Sequence, residues 1–458
     1  MDLLERMGRV LRSPAFKFLL ILFLIVLLLI PLFLVYGLVW EREARAQGVR
    51  GEVGRLWGPE QRLLGPFLVV PYTVRIETVQ GDKRIEQIQE RRAVFTPETL
   101  EVAGRADAKT LRRSIFEVPV YAARLKLSGR FAAPRMADVA AEVAVRWRDA
   151  AFVLGLSGVA GLKEAAALKI AGAGTAELPF APSVGFPSTN LSGIHAKLAG
   201  AGAALMPDPE QPPQPFAFAV DLAFNGSLSL TLAPVARETR VSLASDWPHP
   251  SFSGAFLPDE RQVTPAGFSA AWRIPHLARS VPEAWSLAET GLERLQPHAF
   301  GVALIDPVDF YSLVNRAAKY GILFVALAFM AVFCLEIVSR RPVHPVQYLF
   351  TGIALVFFYV LLLSLAEQLG FARAYLAAST ATGAMLAIYV GAAMSSAMRG
   401  LVMLAVFAAT YGILYLILQL EDYALLAGAM LGFAALIAVM FVTLRVDWSG
   451  SAARSAPR

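Results

Sequence analysis

The stretch Gly301–Tyr348, GVALIDPVDFYSLVNRAAKYGILFVALAFMAVFCLEIVSRRPVHPVQY, decides the reading of the chain. It opens as a strand (Val302, Leu304, Ile305) and turns at Asp306-Pro307. An amphipathic helical piece carrying Arg316 and Lys319 follows, then a hydrophobic span, Tyr320–Val338, closed by Arg340-Arg341. One pass therefore leaves an aqueous domain, enters a bilayer and emerges on a basic side. Before it lie one anchor and a large polar domain; after it lies membrane helix.

Composition agrees with that division. Of 458 residues, 56% are apolar and 17% charged, against the roughly 45–50% and 25% of soluble domains. The excess is concentrated at the N-terminus and in the last third. A net charge of +6 is spread along the chain with no basic run interleaved with aromatics, so no nucleic-acid partner is expected. Cys334 is the sole cysteine, which excludes an internal disulfide or a cysteine-based zinc site.

Phe18–Val39 is an unbroken apolar run, long enough to span a ~30 Å hydrocarbon core. Ala44-Arg45-Ala46 resembles a signal cleavage site, but the run exceeds the roughly 7–15 residues of a signal core, so an uncleaved anchor is expected. Trp40 suits the far interface. Strand patterns then dominate up to Ala318: Thr73–Val79 returning as Arg84–Phe95 over Gly81-Asp82, and Ile115–Leu127 closed by Ser128-Gly129. Ala219–Leu232 reads as a hairpin about Asn225-Gly226, a dipeptide suited to a type I′ turn. Thr239–Ser245 and Gly267–Ile274 add short strands, Lys163–Leu178 is ambiguous, and the proline-rich 205–215 segment could divide two β subdomains.

Five further spans follow, Tyr320–Val338, Val346–Ala366, Ala372–Ala393, Leu401–Leu420 and Tyr423–Leu444. With the N-terminus inside, Arg340-Arg341, Arg399 and Arg445 fall on the cytoplasmic side and Glu367 and Glu421-Asp422 outside, as the positive-inside rule requires. The expected fold class is thus a six-helix multi-pass membrane protein with a large β-rich extracytoplasmic domain between its first and second helices. The expected divisions are a cytoplasmic N-terminus at 1–17, an anchor at 18–39, a periplasmic domain at 40–318, a five-helix bundle at 319–444 and a cytoplasmic tail at 445–458.

Few residues carry a chemical signal. Glu336, inside a span, is a functional candidate because burying a lone carboxylate is costly; Arg340, four residues on, offers a helical ion pair instead. His344 and Gln347 flank Pro345 and suit caps at a helix start, with a proton relay to Glu336 as the rival reading. Asp306, Asp309, Arg316 and Lys319 form a charged junction, read either as a functional cluster or as ion pairs that fix orientation. His249, between Pro248 and Pro250, is presented on a constrained loop. Glu367 reads as an interfacial carboxylate with aromatic neighbours. The Gly428/Gly432 pair suits close helix packing. Ser157 misses the nucleophile-elbow pattern at its last position, and no Walker loop, dinucleotide fingerprint or HExxH spacing occurs. No catalytic residue, cofactor or metal site is expected.

Many local matches fall in order along most of the chain. They include Leu64-Gly65-Pro66, Pro97-Glu98-Thr99-Leu100, Val118-Pro119-Val120-Tyr121, His249-Pro250-Ser251-Phe252-Ser253-Gly254, Asp306-Pro307-Val308-Asp309, Arg316-Ala317-Ala318-Lys319-Tyr320-Gly321 and His344-Pro345-Val346-Gln347-Tyr348. By these the chain resembles the CreD inner-membrane proteins of bacteria, also called cell envelope integrity proteins. Gly158 after Ser157, and Gln368 after Glu367, depart from the residues that resemblance leads one to expect. The resemblance implies an inner-membrane location and a link to envelope stress and a two-component regulatory system; it implies no reaction. The leading expectation is a non-enzymatic protein whose β domain binds or senses an envelope component or a membrane-protein partner. The alternative is a small transporter or flippase-like bundle using Glu336, Glu367 and His344.

Overall fold

The structure is a computed structural model describing residues 14–80, 83–141, 143–172, 174–183, 192–289, 291–305, 310–339, 341–420 and 423–444. It separates into two compact units, Gln47–Pro307 and the remainder, Met1–Ala46 with Val308–Arg458. Asp306, Asp309, Arg340, Gly81-Asp82 and Glu421-Asp422 lie outside the described residues.

The first helix, α1, runs Pro14–Trp57. Hydropathy ends near Trp40, but helicity does not, because polar residues there form helix-compatible pairs such as Glu41–Arg45 at 3.7 Å. Gly58, at φ +156°, stops it. The last turns of α1 belong to the β unit: Val53 is buried with Val118 and Val120, and Val49, Trp57, Leu111 and Leu228 pack around them. Trp57 Nε1 donates to Tyr121 O at 3.2 Å, and Lys109 Nζ lies 3.9 Å from the Trp57 ring centre.

Among the described residues, two mixed sheets build the β unit. The main path of the first is Pro250–Gly254, Phe300–Leu304, Ser229–Leu232, Gln61–Gln80, Ala151–Leu156, Ser192–Lys197 and Ala181–Ser183. The second runs Glu260–Thr264, Gly267–Pro275, Glu238–Ser245, Thr99–Arg113, Phe116–Phe131, Phe216–Ser227, Ala167–Ala171 and Thr175–Pro179. Alternation drives the layering: Leu100 and Val102, like Val220, Leu222 and Phe224, point into one core shared with Leu63, Phe67 and Phe152 of the first sheet. Aromatic contacts cross between layers, Phe152 to Phe218 at 5.2 Å and Trp272 to Phe300 at 5.5 Å. The terminal strands of both paths are five residues or shorter, and carry Pro250, Pro182, Pro179 or the Glu260-Arg261 pair.

Several sequence expectations are corrected here. Asn225-Gly226 makes no hairpin turn. Phe216–Ser227 is one strand, antiparallel to Phe116–Phe131, while Ser229–Leu232 joins the other sheet, parallel to Gln61–Leu63. The chain changes sheet at Leu228, whose φ is +60°. Gly226 is required because a Cβ there would overlap the Tyr121 ring, and Asn225 O accepts from buried Gln61 Nε2 at 3.2 Å. Ser128-Gly129 likewise ends nothing; the strand continues to Phe131, with Gly129 admitting Phe218 and Thr99 O. The ambiguous 163–178 segment holds the paired strands Ala167–Ala171 and Thr175–Pro179. By contrast, Gln61–Gln80 and Lys83–Phe95 pair out to Gln80–Lys83, as the alternation predicts.

Tyr121 is 1% exposed, and its hydroxyl donates to Ser229 O at 2.7 Å. Burial raises its pKa well above that of an ordinary phenol, the backbone around Gln61 opposing and Glu60 reinforcing the shift. In the unfolded chain this phenol ionises near pH ~10. The stability it lends is therefore fully present below that pH and is lost as pH rises beyond it toward the folded value. Tyr121→Phe is expected to flatten the alkaline end of the β unit's stability profile, measured by thermal unfolding between about pH 8 and 11. An unchanged alkaline slope would sink the assignment.

The second unit contains, among the described residues, α1 up to Ala46 and six further helices: α2 Phe310–Lys319, α3 Gly321–Ser339, α4 Pro345–Leu369, α5 Phe371–Ala393, α6 Ala397–Gln419 and α7 Ala424–Thr443. Among the described residues, α1, α3, α4, α5 and α6 are long and apolar enough to cross a membrane; the apolar stretch of α7, Leu426–Phe441, is shorter. Helix α2 buries Tyr311, Val314, Ala317 and Ala318 along one face. Small residues set the closest approaches: a Cβ on Gly391 would lie 2.9 Å from Gly400 Cα, so α5 and α6 touch at the backbone. Gly428 and Gly432 pack within the unit, facing Tyr320 and Leu323.

Candidate functional site

Two polar clusters mark the membrane unit. In the first, Glu336, 7% exposed, sits one turn from the C-terminus of α3, and Lys17 lies in the first turns of α1. Each charge is at the unfavourable end of its own helix dipole, and each neutralises the other: Lys17 Nζ pairs with Glu336 Oε1. Tyr348 Oη donates to Glu336 Oε2 at 2.9 Å, and the Tyr348 ring stands edge-on to Phe329 at 5.7 Å. Lys17 also reaches Val343 O at 3.5 Å. Both carboxylate oxygens are thus engaged. Arg340, the partner suggested by sequence spacing, lies outside the described residues.

His344 and Gln347 form a reciprocal cap on α4. His344 Nδ1 accepts from Val346 N–H at 3.3 Å, and Gln347 Oε1 accepts from His344 N–H at 2.9 Å. The imidazole is occupied in holding the helix start, and no hydrogen bond among the described residues joins it to Glu336.

The second cluster surrounds Glu367, near the end of α4, whose side chain is 9% exposed. Tyr311 Oη of α2 donates to its Oε1 at 3.3 Å, and Arg42 Nη1 of α1 approaches Oε2 at 3.8 Å. Glu367 is therefore more enclosed than an interfacial carboxylate facing water. Arg316 is half-buried on α2 and Lys319 is exposed at its end.

Lys17 and Arg42 are 25 residues apart on one helix, about 37 Å at 1.5 Å per residue, close to a hydrocarbon core plus its interfaces. Between them, Phe18–Trp40 carries no charged residue, nor do 321–335, 346–366, 374–393 or 400–419 on the facing helices. The two acidic groups are held in separate clusters, not joined by an ionisable chain.

In the β unit, His249 is exposed while its carbonyl accepts from Trp247 Nε1 at 3.1 Å. Ser157, far from a nucleophile, accepts from Arg62 N–H at 2.9 Å and donates to Glu60 O. Among the described residues no cluster of His, Cys, Asp and Glu could hold a metal. Sequence reasoning did not select Lys17, Arg42 or Tyr311 as site residues. Their signal was positional: cations bracketing the first span, and a tyrosine at the start of an amphipathic helix.

A membrane bundle joined in one chain to a β sandwich defines a polytopic membrane protein. The profile of the family described as "Inner membrane protein CreD" matches residues 13–449. A curated relative, the "Inner membrane protein CreD" of Escherichia coli (strain K12), is 31% identical over 440 residues, covering 96% of this chain and 94% of that protein. The chain belongs to the CreD family of inner membrane proteins, embedded in the lipid bilayer by several helices.

Proposed function

We propose that the chain is a non-enzymatic inner-membrane protein serving envelope integrity, in which the membrane unit anchors and the β unit binds or senses. Helix α7 completes six crossings, both termini are cytoplasmic, and residues 40–318 are periplasmic, in keeping with the basic residues on one side of the spans and acidic residues on the other. The partner is an envelope component or another membrane protein. The observation that carries this reading is the engagement of both membrane carboxylates, Glu336 by Lys17 and Tyr348 and Glu367 by Tyr311 and Arg42. A transport route needs such groups facing a common polar cavity. Asp306, Asp309, Arg316 and Lys319 serve as the charged junction, and His249 as part of the recognition surface.

The test uses the full chain in nanodiscs, screened against peptidoglycan fragments, phospholipids and solubilised membrane proteins. Saturable binding that weakens roughly tenfold or more in His249→Ala, about 1.4 kcal/mol, is the expected result. No binding, together with Glu336-dependent solute movement in liposomes, would replace this reading with transport.

A further inference from the structure

The centre of the membrane unit contains a small cavity that neither carboxylate cluster reaches. It lies among α3, α4 and α6, lined by Phe324, Leu355, Phe358, Tyr359, Thr410 and Tyr411 among others, with about 10 Å³ in which the centre of a water molecule fits. Tyr411 is 7% exposed. Its hydroxyl oxygen is buried and has no hydrogen-bond partner among the described residues, although its ring packs on Phe358 at 4.7 Å. The Tyr411 backbone carbonyl is already taken by Tyr375 Oη at 2.6 Å. Two other hydroxyl-bearing side chains share the lining. Thr410 donates to Val406 O at 2.7 Å, which leaves its oxygen free to accept.

A buried hydroxyl without a partner is rare and unfavourable in an apolar interior. Enclosed space of this size holds one water when two to four polar groups converge on it. Tyr359, Thr410 and Tyr411 supply that many hydroxyls. We infer that this cavity binds a single internal water, which satisfies Tyr411 Oη and links α4 to α6. The bound water makes the tyrosines of these two helices one polar node between the two carboxylate clusters, beside the Tyr375 bond to Tyr411 O. It serves as a fixed bridge, since no charged group adjoins it to drive exchange along the helices.

Tyr411→Phe, Tyr359→Phe and the double variant in the full chain test this. Each change keeps the ring and removes one oxygen. With a bridging water, Tyr411→Phe lowers the Tm by about 2–4 °C, and the double variant loses less than the sum of the two single losses, because both act on one bridge. A Tyr411→Phe protein as stable as, or more stable than, the parent would mean that a dry, unsatisfied hydroxyl had been removed, and would overturn the inference. Strictly additive losses would overturn it equally. An independent readout is the O–H stretch of Tyr411, isolated by infrared difference against Tyr411→Phe. A hydrogen-bonded frequency supports the bridge, and a free-hydroxyl frequency refutes it.

Discussion

Lys17→Met is expected to destabilise the membrane unit by about 3 kcal/mol, because Glu336 then remains buried without its cation. The lysine is not a loose surface partner: its side chain is 20% exposed and that of Glu336 9%. Tyr348 can share the carboxylate's charge but cannot cancel it. The pair is not favoured over an apolar alternative, however, since burying both ions is itself costly. Lys17→Met combined with Glu336→Leu should therefore recover most of the loss. Thermal denaturation in detergent, following tryptophan fluorescence or protease susceptibility, measures both. A single variant within about 0.5 kcal/mol of the parent would show that the pair is solvent-screened. A double variant worse than the single would show that losing the Tyr348 hydrogen bond to Glu336 outweighs the relief of burying neither ion.

Gly226→Asn should be as damaging, at about 3 kcal/mol from overpacking. The strand at Gly226 lies against the Tyr121 ring, and a Cβ would displace a side chain that is almost wholly buried and bonded to Ser229 O. This prediction separates two readings of one dipeptide. In a type I′ turn, asparagine at either central position is tolerated, so the substitution would be mild. In a strand that must admit a tyrosine ring it is severe. Urea unfolding of the full chain, followed by the fluorescence of Trp57 beside Tyr121, decides between them.

That dipeptide also shows where the sequence stopped being readable. Alternation identified the strands on both sides of Asn225-Gly226, because burying one face imposes a period of two whatever the topology. It could not show that Leu230 and Leu232 serve the opposite sheet, since both layers bury the same kind of residue in one core. The glycine was attributed to backbone conformation when its cause is a contact with a residue more than a hundred positions earlier. Helix α1 was bounded at Val39 because hydropathy reports where lipid ends, not where a helix ends. Glu336 was legible as a charge in an apolar run. Its partner was not, being 319 residues away in sequence, and local spacing favoured Arg340 instead. The cap formed by His344 and Gln347 was readable because capping is a local event.

The terminal strands have a bearing on how the β unit meets other molecules. Along both sheet paths the outermost strands are short and interrupted by proline or carry charge. Such margins offer few free backbone groups in a row, which guards against chains stacking edge to edge. The same economy removes a mode of recognition, because an extended peptide cannot add itself as a further strand to so brief a margin. At these margins selectivity must come from side chains on a face or a loop. The side branch Lys83–Phe95, by contrast, is paired on one edge with Gln61–Gln80 and, among the described residues, covered on the other only at 93–95, so it is where a further strand could be added.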